Sequence, residues 1–228
     1  IVDGPGKSLN LLAARTPNGY HRIGINNNKT LDPSVRGFDE VPPDHTFVGG
    51  WGSLNRHHLF YEDIDGDGVK EVISEINGSW NRVQVWTAEG EPLYDATFGP
   101  GKRLPAKNIR DIDIADLNGD GKKEILVATS SGFITALNSE CENIWYIRLP
   151  APPTVMTCVR LSIEDAPHIA VGCEDGSVLF LDGRGNIVQQ GSIDGRPSRI
   201  GTLPVAPGKN VLVVATDRGT VASFSAGE

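Results

Sequence analysis

The 228-residue sequence predicts an all-β propeller of four-stranded antiparallel blades, incomplete or part of a larger ring. Three observations predict it. A short apolar run followed by a turn recurs five times, hairpin signals separate the strands within each recurrence, and long helical periodicity is absent. A β-sandwich is the main alternative and leaves the recurrence unexplained.

The recurring runs are Leu9–Ala14, Glu71–Ser74, Glu124–Thr129, His168–Cys173 and Asn210–Thr216, and their starts lie 62, 53, 44 and 42 residues apart. The unit therefore tightens toward a bare four-strand length, with insertions in the early copies. Approximate repeats are 1–50, 51–105, 106–150, 151–193 and 194–228. Each run is followed by a glycine-containing turn, as in Ser130–Gly132, Asp175–Gly176 and Asp217–Gly219. Glycine accepts the positive φ of tight hairpins. Alternating strands come next, Val83–Trp86, Phe133–Leu137, Ser177–Leu181 and Thr220–Phe224, and then a second turn and a strand holding Trp145 or Ile187 and Val188. The nearly continuously apolar runs need cover on both faces although their hairpins make them antiparallel, a condition that radially packed blades meet. Five units either close by sharing strands or belong to a propeller with further blades. The second is favoured, because an open stack exposes apolar faces.

Hydrophobic residues make up 39% and charged residues 22% of the chain, the balance of a folded globular protein. No apolar run reaches the length of a membrane helix, so no membrane insertion is expected. The single Met and the start at Ile1 point to a processed or truncated segment. The net charge of −8 argues against nucleic acid as a partner. It is concentrated, since seven carboxylates fall in Asp63–Glu71 and Asp116–Glu124. Cys141, Cys158 and Cys173 form no zinc-like spacing. Cys158 and Cys173 are read as buried thiols or one cross-strand bridge, which leaves the redox compartment open.

In Asp63-Ile-Asp-Gly-Asp-Gly-Val-Lys-Glu71, carboxylates occupy loop positions 1, 3, 5 and 9, with a turn glycine at 6 and the Val69 carbonyl as a neutral donor. Oxygens so spaced converge on one hard cation. Asp116, Asn118, Asp120 and Glu124, with the Lys122 carbonyl, repeat the pattern. Calcium at two sites is the expectation, because three or four adjacent carboxylates repel one another when no cation is present. An EF-hand is excluded: its position 12 would fall on Ser74 and Val127, and each loop runs straight into a strand.

Both loops resemble the Asp-x-Asp/Asn-x-Asp-Gly-x-x-Asp/Glu element of FG-GAP (VCBS) propeller repeats, found in integrin α-subunit heads and many secreted proteins. The resemblance implies a calcium-stabilised propeller in an extracellular or cell-surface setting, with the periplasm as a variant, and fixes no partner. Ser162–Pro167 and Pro204–Lys209 lack the ligand set. The later units resemble the metal-free blades of quinoprotein-like or WD-repeat propellers.

Beyond the loops, Asn26–His58 is long for a blade connection and carries Trp51, Arg56, His57 and His58 as candidate ligand-binding residues. Trp80, in the turn Asn77–Asn81, is a candidate sugar platform, whereas Trp86 and Trp145 sit at strand positions and are expected to pack between blades. Asn28 and Asn77 begin glycosylation sequons. Lys102, Arg103, Lys107 and Arg110 form a basic cluster, read as a solvated loop or as a patch for acidic sugar.

Two functions follow. The first is a binding or scaffolding module of a secreted or cell-surface protein, with a protein or glycan ligand. The second is a polysaccharide-active, lyase-like enzyme or its accessory carbohydrate-binding domain, because calcium-bearing propellers occur among rhamnogalacturonan lyases. The spacing pairs no base with an acid, so no catalytic residue is assigned.

Overall fold

The computed structural model describes residues 58–76, 81–88, 91–99, 108–162 and 166–225, with the strand backbones Val2–Asp3, Leu9–Arg15, Gly19–Gly24 and Thr30–Asp32; of Ile76 it describes the backbone alone. Blade 1 is β1 (Val2–Asp3), β2 (Leu9–Arg15), β3 (Gly19–Gly24) and β4 (Thr30–Asp32). Blade 2 is β5 (Leu59–Glu62), β6 (Glu71–Ile76), β7 (Arg82–Trp86) and β8 (Pro92–Thr97). Blade 3 is β9 (Ile109–Ala115), β10 (Glu124–Thr129), β11 (Phe133–Leu137) and β12 (Asn143–Arg148). Blade 4 is β13 (Pro153–Val159), β14 (His168–Cys173), β15 (Ser177–Leu181) and β16 (Ile187–Ser192). Blade 5 has three strands, β17 (Pro197–Ala206), β18 (Lys209–Thr216) and β19 (Val221–Phe224).

Every sheet is an antiparallel meander, and among the described residues the sheets do not close on one another, so the fold is a partial propeller. Neighbouring blades meet chiefly through their first strands, β9 against β13 and β13 against β17. No described helix is long and apolar enough to cross a membrane.

The apolar runs are the second strands of their blades, not the first. The first strands were less visible because β9 alternates Ile109, Ile112 and Ile114 with Arg110, Asp111 and Asp113. The carboxylates are used structurally. Asp111 Oδ2 accepts the Met156 amide at 2.7 Å and Asp113 Oδ2 the Cys158 amide at 2.7 Å, so two side chains of β9 cap the free edge amides of β13.

The core lies between blades. Ile125 and Val127 of β10 join a cluster with Ile73, Val83 and Val85 of blade 2, while Leu126 and Ala128 join one with Ile169, Val171 and Leu179 of blade 4. One strand thus sends alternate side chains into two cores, which is why Ile125–Ala128 is apolar throughout. Val178 and Phe180 on β15 repeat this toward Leu212 and Val214 of blade 5. Trp145 packs in the blade 3–4 core as expected, its indole N–H donating to the Gly183 carbonyl at 3.1 Å. Trp86 is fully buried with Val72. The three cysteines are free. Cys158 faces Ile169 and Cys173 faces Pro153 in the ladder, so no cross-strand bridge is in register.

Candidate functional site

The two acidic segments are the β5–β6 and β9–β10 connections, and they fold alike. Asp63 Oδ1 and Oδ2 accept the amides of Gly66 (2.8 Å) and Gly68 (3.0 Å); Asp116 does the same for Gly119 (2.6 Å) and Gly121 (3.1 Å). Asp65, Asp67, Asn118 and Asp120 each accept the amide two residues on. Glu71 and Glu124 return from the next strand to accept the amides of Ile64 and Leu117. φ is +79° at Gly66 and Gly119 and +88° at Gly68 and Gly121, the left-handed region that glycine tolerates. The loops also touch: the Lys123 amide donates to the Ile64 carbonyl at 2.9 Å, and the Lys123 ammonium pairs with Glu62 at 2.8 Å.

Carboxylate oxygens of Asp63, Asp65 and Glu71 lie within 4.8 Å of one another. Asp67, expected from sequence as a further ligand, is not in that cluster, and its Oδ1 accepts the Val69 amide at 2.7 Å. The second loop is arranged differently inside, since the Asn118 amide nitrogen reaches Asp120 at 3.1 Å and Glu124 at 3.2 Å, supplying a neutral donor between carboxylates. Burial, and then the neighbouring aspartates, push Glu71 and Glu124 above the usual carboxylate range, while the Ile64 and Leu117 amides pull the other way.

At the opposite ends of the first strands lies a cleft of about 450 Å³, lined by residues of four blades. β9, β13 and β17 each carry a bulge at their start that leaves Arg110, Thr154 and Ser198 as extra residues. Bulges re-aim side chains, and all three line the cleft, followed by Asp111, Val155 and Arg199. Thr154 Oγ1 lies 2.7 Å from the Pro197 carbonyl, and Ser198 Oγ 3.3 Å from that of Ala215. Arg110 pairs with Glu174 at 2.6 Å. Arg196 and Arg199 are exposed, and Asp217 Oδ1 accepts the Arg196 amide at 3.0 Å.

His58 forms the fourth wall. Its Nδ1 lies 3.2 Å from Glu75 Oε1 and its Nε2 3.0 Å from Asp111 Oδ1. Burial works against its charge, but the hydrogen bonds of Asp111 and Glu75 outweigh it and hold the imidazole at about 10. Both ring nitrogens therefore donate.

Of the ligand-binding residues expected from sequence, His58 is in the cleft, whereas Trp51, Arg56, His57 and Trp80 lie outside the described residues. From the basic cluster Arg110 reaches the cleft; Lys102, Arg103 and Lys107 also lie outside the described residues. Sequence reasoning missed Asp111, Val155 and Arg199, although a signal existed. They lie 44 residues apart, close to the 44 and 43 that separate the hairpin glycines Gly132, Gly176 and Gly219, and His58 precedes Asp111 by the 53 residues that separate Asp63 from Asp116.

Residues 94–194 match the family model of the lambda-carrageenase β-propeller domain. A Streptomyces coelicolor protein named as tricorn protease homolog 2 is 28% identical over 151 residues, which is 56% of this chain and 11% of that protein. The chain thus spans about a tenth of the curated relative it matches. Among solved structures it is similar to BBS1N, crystallised in complex with ARL6DN, with TM-score 0.62 and 16% identity over all of this chain and 66% of that one. It is also similar to the Neurospora crassa Pan2 WD40 domain, with TM-score 0.54 and 13% identity over 78% of this chain and 48% of that one. At these identities the structural likenesses speak for the propeller fold alone.

Proposed function

We propose that the chain is a calcium-stiffened propeller module of a secreted or cell-surface protein that recognises a protein or glycan ligand in the cleft at the starts of the first strands. The observation that supports it is the polarity of the blades. Two acidic loops with the same aspartate-to-amide bonds sit at one end of adjacent first strands, and a cleft walled by four blades opens at the other. Cations bound in the loops tie β5 to β6 and β9 to β10, and so fix the strands that carry His58, Arg110 and Asp111.

A panel of immobilised glycans and proteins tests this, with Val155→Trp filling the cleft. A ligand held by the wild type and released by the variant, with melting unchanged, supports the reading. Ligands held equally by both place recognition elsewhere and defeat it.

A second reading, a polysaccharide-active enzyme or its accessory domain, is favoured by the carrageenase propeller model over residues 94–194. His58 does not serve it as a base, because an imidazole held protonated between two carboxylates accepts no proton at neutral pH. Unsaturated product from uronic-acid polymers would favour this reading; its absence leaves the binding module.

A further inference from the structure

We propose that the free edge of β17, which continues from the cleft past Arg199, docks an extended acidic segment of a partner protein, whose alternate carboxylates accept the amides of Ile200 and Thr202. This rests on the reading of the cleft as the recognition site and adds the class of partner.

The preceding blades contain the template. Asp111 and Asp113, two residues apart on β9, accept the amides of Met156 and Cys158 on the edge of β13, each at 2.7 Å. β17 repeats β13 one blade on. The Glu174 amide donates to the Pro152 carbonyl and the Asp217 amide to the Arg196 carbonyl, and a bulge opens each strand, between Pro153 and Val155 and between Pro197 and Arg199. Ile200 and Thr202 then face Val214 and Leu212 as Met156 and Cys158 face Val171 and Ile169. Alternate residues of an antiparallel ladder turn their amides away from the neighbouring strand. The Ile200 and Thr202 amides therefore point off the sheet edge, as those of Met156 and Cys158 do.

What differs is the strand before. Where β9 has Asp111 and Asp113, β13 has Val155 and Thr157, 44 residues on. Val155 offers no acceptor, and the Thr157 hydroxyl donates back to Asp113 Oδ2 at 3.2 Å. β17 pairs with β18 alone, and no described residue accepts the Ile200 or Thr202 amide. The edge is also accessible. Thr202 is exposed, and a Cβ on Gly201, between the two amides, would meet nothing within 4 Å. Unpaired edge amides accept an added strand, and a carboxylate makes a stronger bond to them than a neutral acceptor. Amides on alternate residues of a strand lie about 6.6 Å apart. An extended peptide with carboxylates on alternate residues matches that spacing, as Asp111 and Asp113 do on β9.

The test is an amide NMR titration of the whole chain with three probes: a capped peptide copying Arg110–Ala115, the same peptide with Asn at both aspartate positions, and an oligogalacturonate. The acidic peptide should bind at least about ten-fold tighter than its Asn copy and move the Ile200 and Thr202 amide protons downfield. Val155→Asp installs the carboxylate that Asp111 supplies one blade earlier, and should weaken the peptide at least about ten-fold without lowering Tm. Gly201→Asp is a second block at an open position. Asp113 Oδ1 accepts the amide of the next residue, Ile114, at 2.8 Å, so an aspartate at 201 should occupy the Thr202 amide and weaken the peptide likewise. Equal binding of the Asn copy, shifts confined to other amides, indifference to both variants, or no peptide binding would each overturn the proposal. Oligogalacturonate moving these two amides in place of the peptide would overturn it in favour of a sugar. A ligand released by Val155→Trp from a protein that binds no acidic peptide would overturn it while leaving the cleft as the recognition site.

Discussion

His58 Nε2 stands 3.0 Å from Asp111 Oδ1, and the two residues occupy the same position of neighbouring blades. The contact joins blade 2 to blade 3 and, through the Asp111 bond to the Met156 amide, to blade 4. A charge shared by three blades makes ring stability depend on pH. The folded pKa of about 10 lies above the ordinary 6.5, so the stabilisation is complete below pH 6.5 and lost as pH rises through 10. Urea midpoints measured from pH 6 to pH 10.5 should fall across that window, and His58→Gln should flatten the fall. A wild-type profile as flat as the variant's would contradict the clamp.

Blade packing can be probed at a single glycine. A Cβ on Gly172 would meet Pro197 Cβ at 2.4 Å and Val155 Cγ2 at 3.1 Å, whereas at Gly201 nothing lies within 4 Å. Gly172→Ala should therefore cost about 1–3 kcal/mol by overpacking, and Gly201→Ala should change stability by less than about 0.5 kcal/mol. Denaturant unfolding of the pair checks the contrast, since equal effects would mean that blades 4 and 5 do not meet closely at Gly172.

The free thiols give a third test. Burial pushes Cys141, Cys158 and Cys173 upward, Cys173 to about 11, and protonated thiols are poor nucleophiles. A thiol-reactive reagent at pH 8 should leave the native protein largely unlabelled and label three sites after denaturation. Fast labelling of the native chain would show that the cores beside these residues open readily.

Much of the fold was legible because the second strands carry an apolar signal on both faces: Ile125 and Leu126 serve different cores, yet both must be apolar. The first strands were harder to read. In β9 the carboxylates of Asp111 and Asp113 look like surface residues until the neighbouring strand supplies amides for them. The acidic loops were legible residue by residue because their spacing is local. The cleft was harder, since Thr154, Ser198 and Arg199 are marked only by their 44-residue spacing and meet when three bulges bring the strand starts together.

The most direct measurement is calorimetric melting of chelator-treated protein with and without calcium. With calcium at about a hundred times its Kd, each filled loop adds about 2.7 kcal/mol, which for a chain of this size raises Tm on the order of 10 °C for the pair. Asp65→Ala with Asp120→Ala should abolish the rise. An identical Tm with and without calcium would contradict a calcium-stiffened propeller.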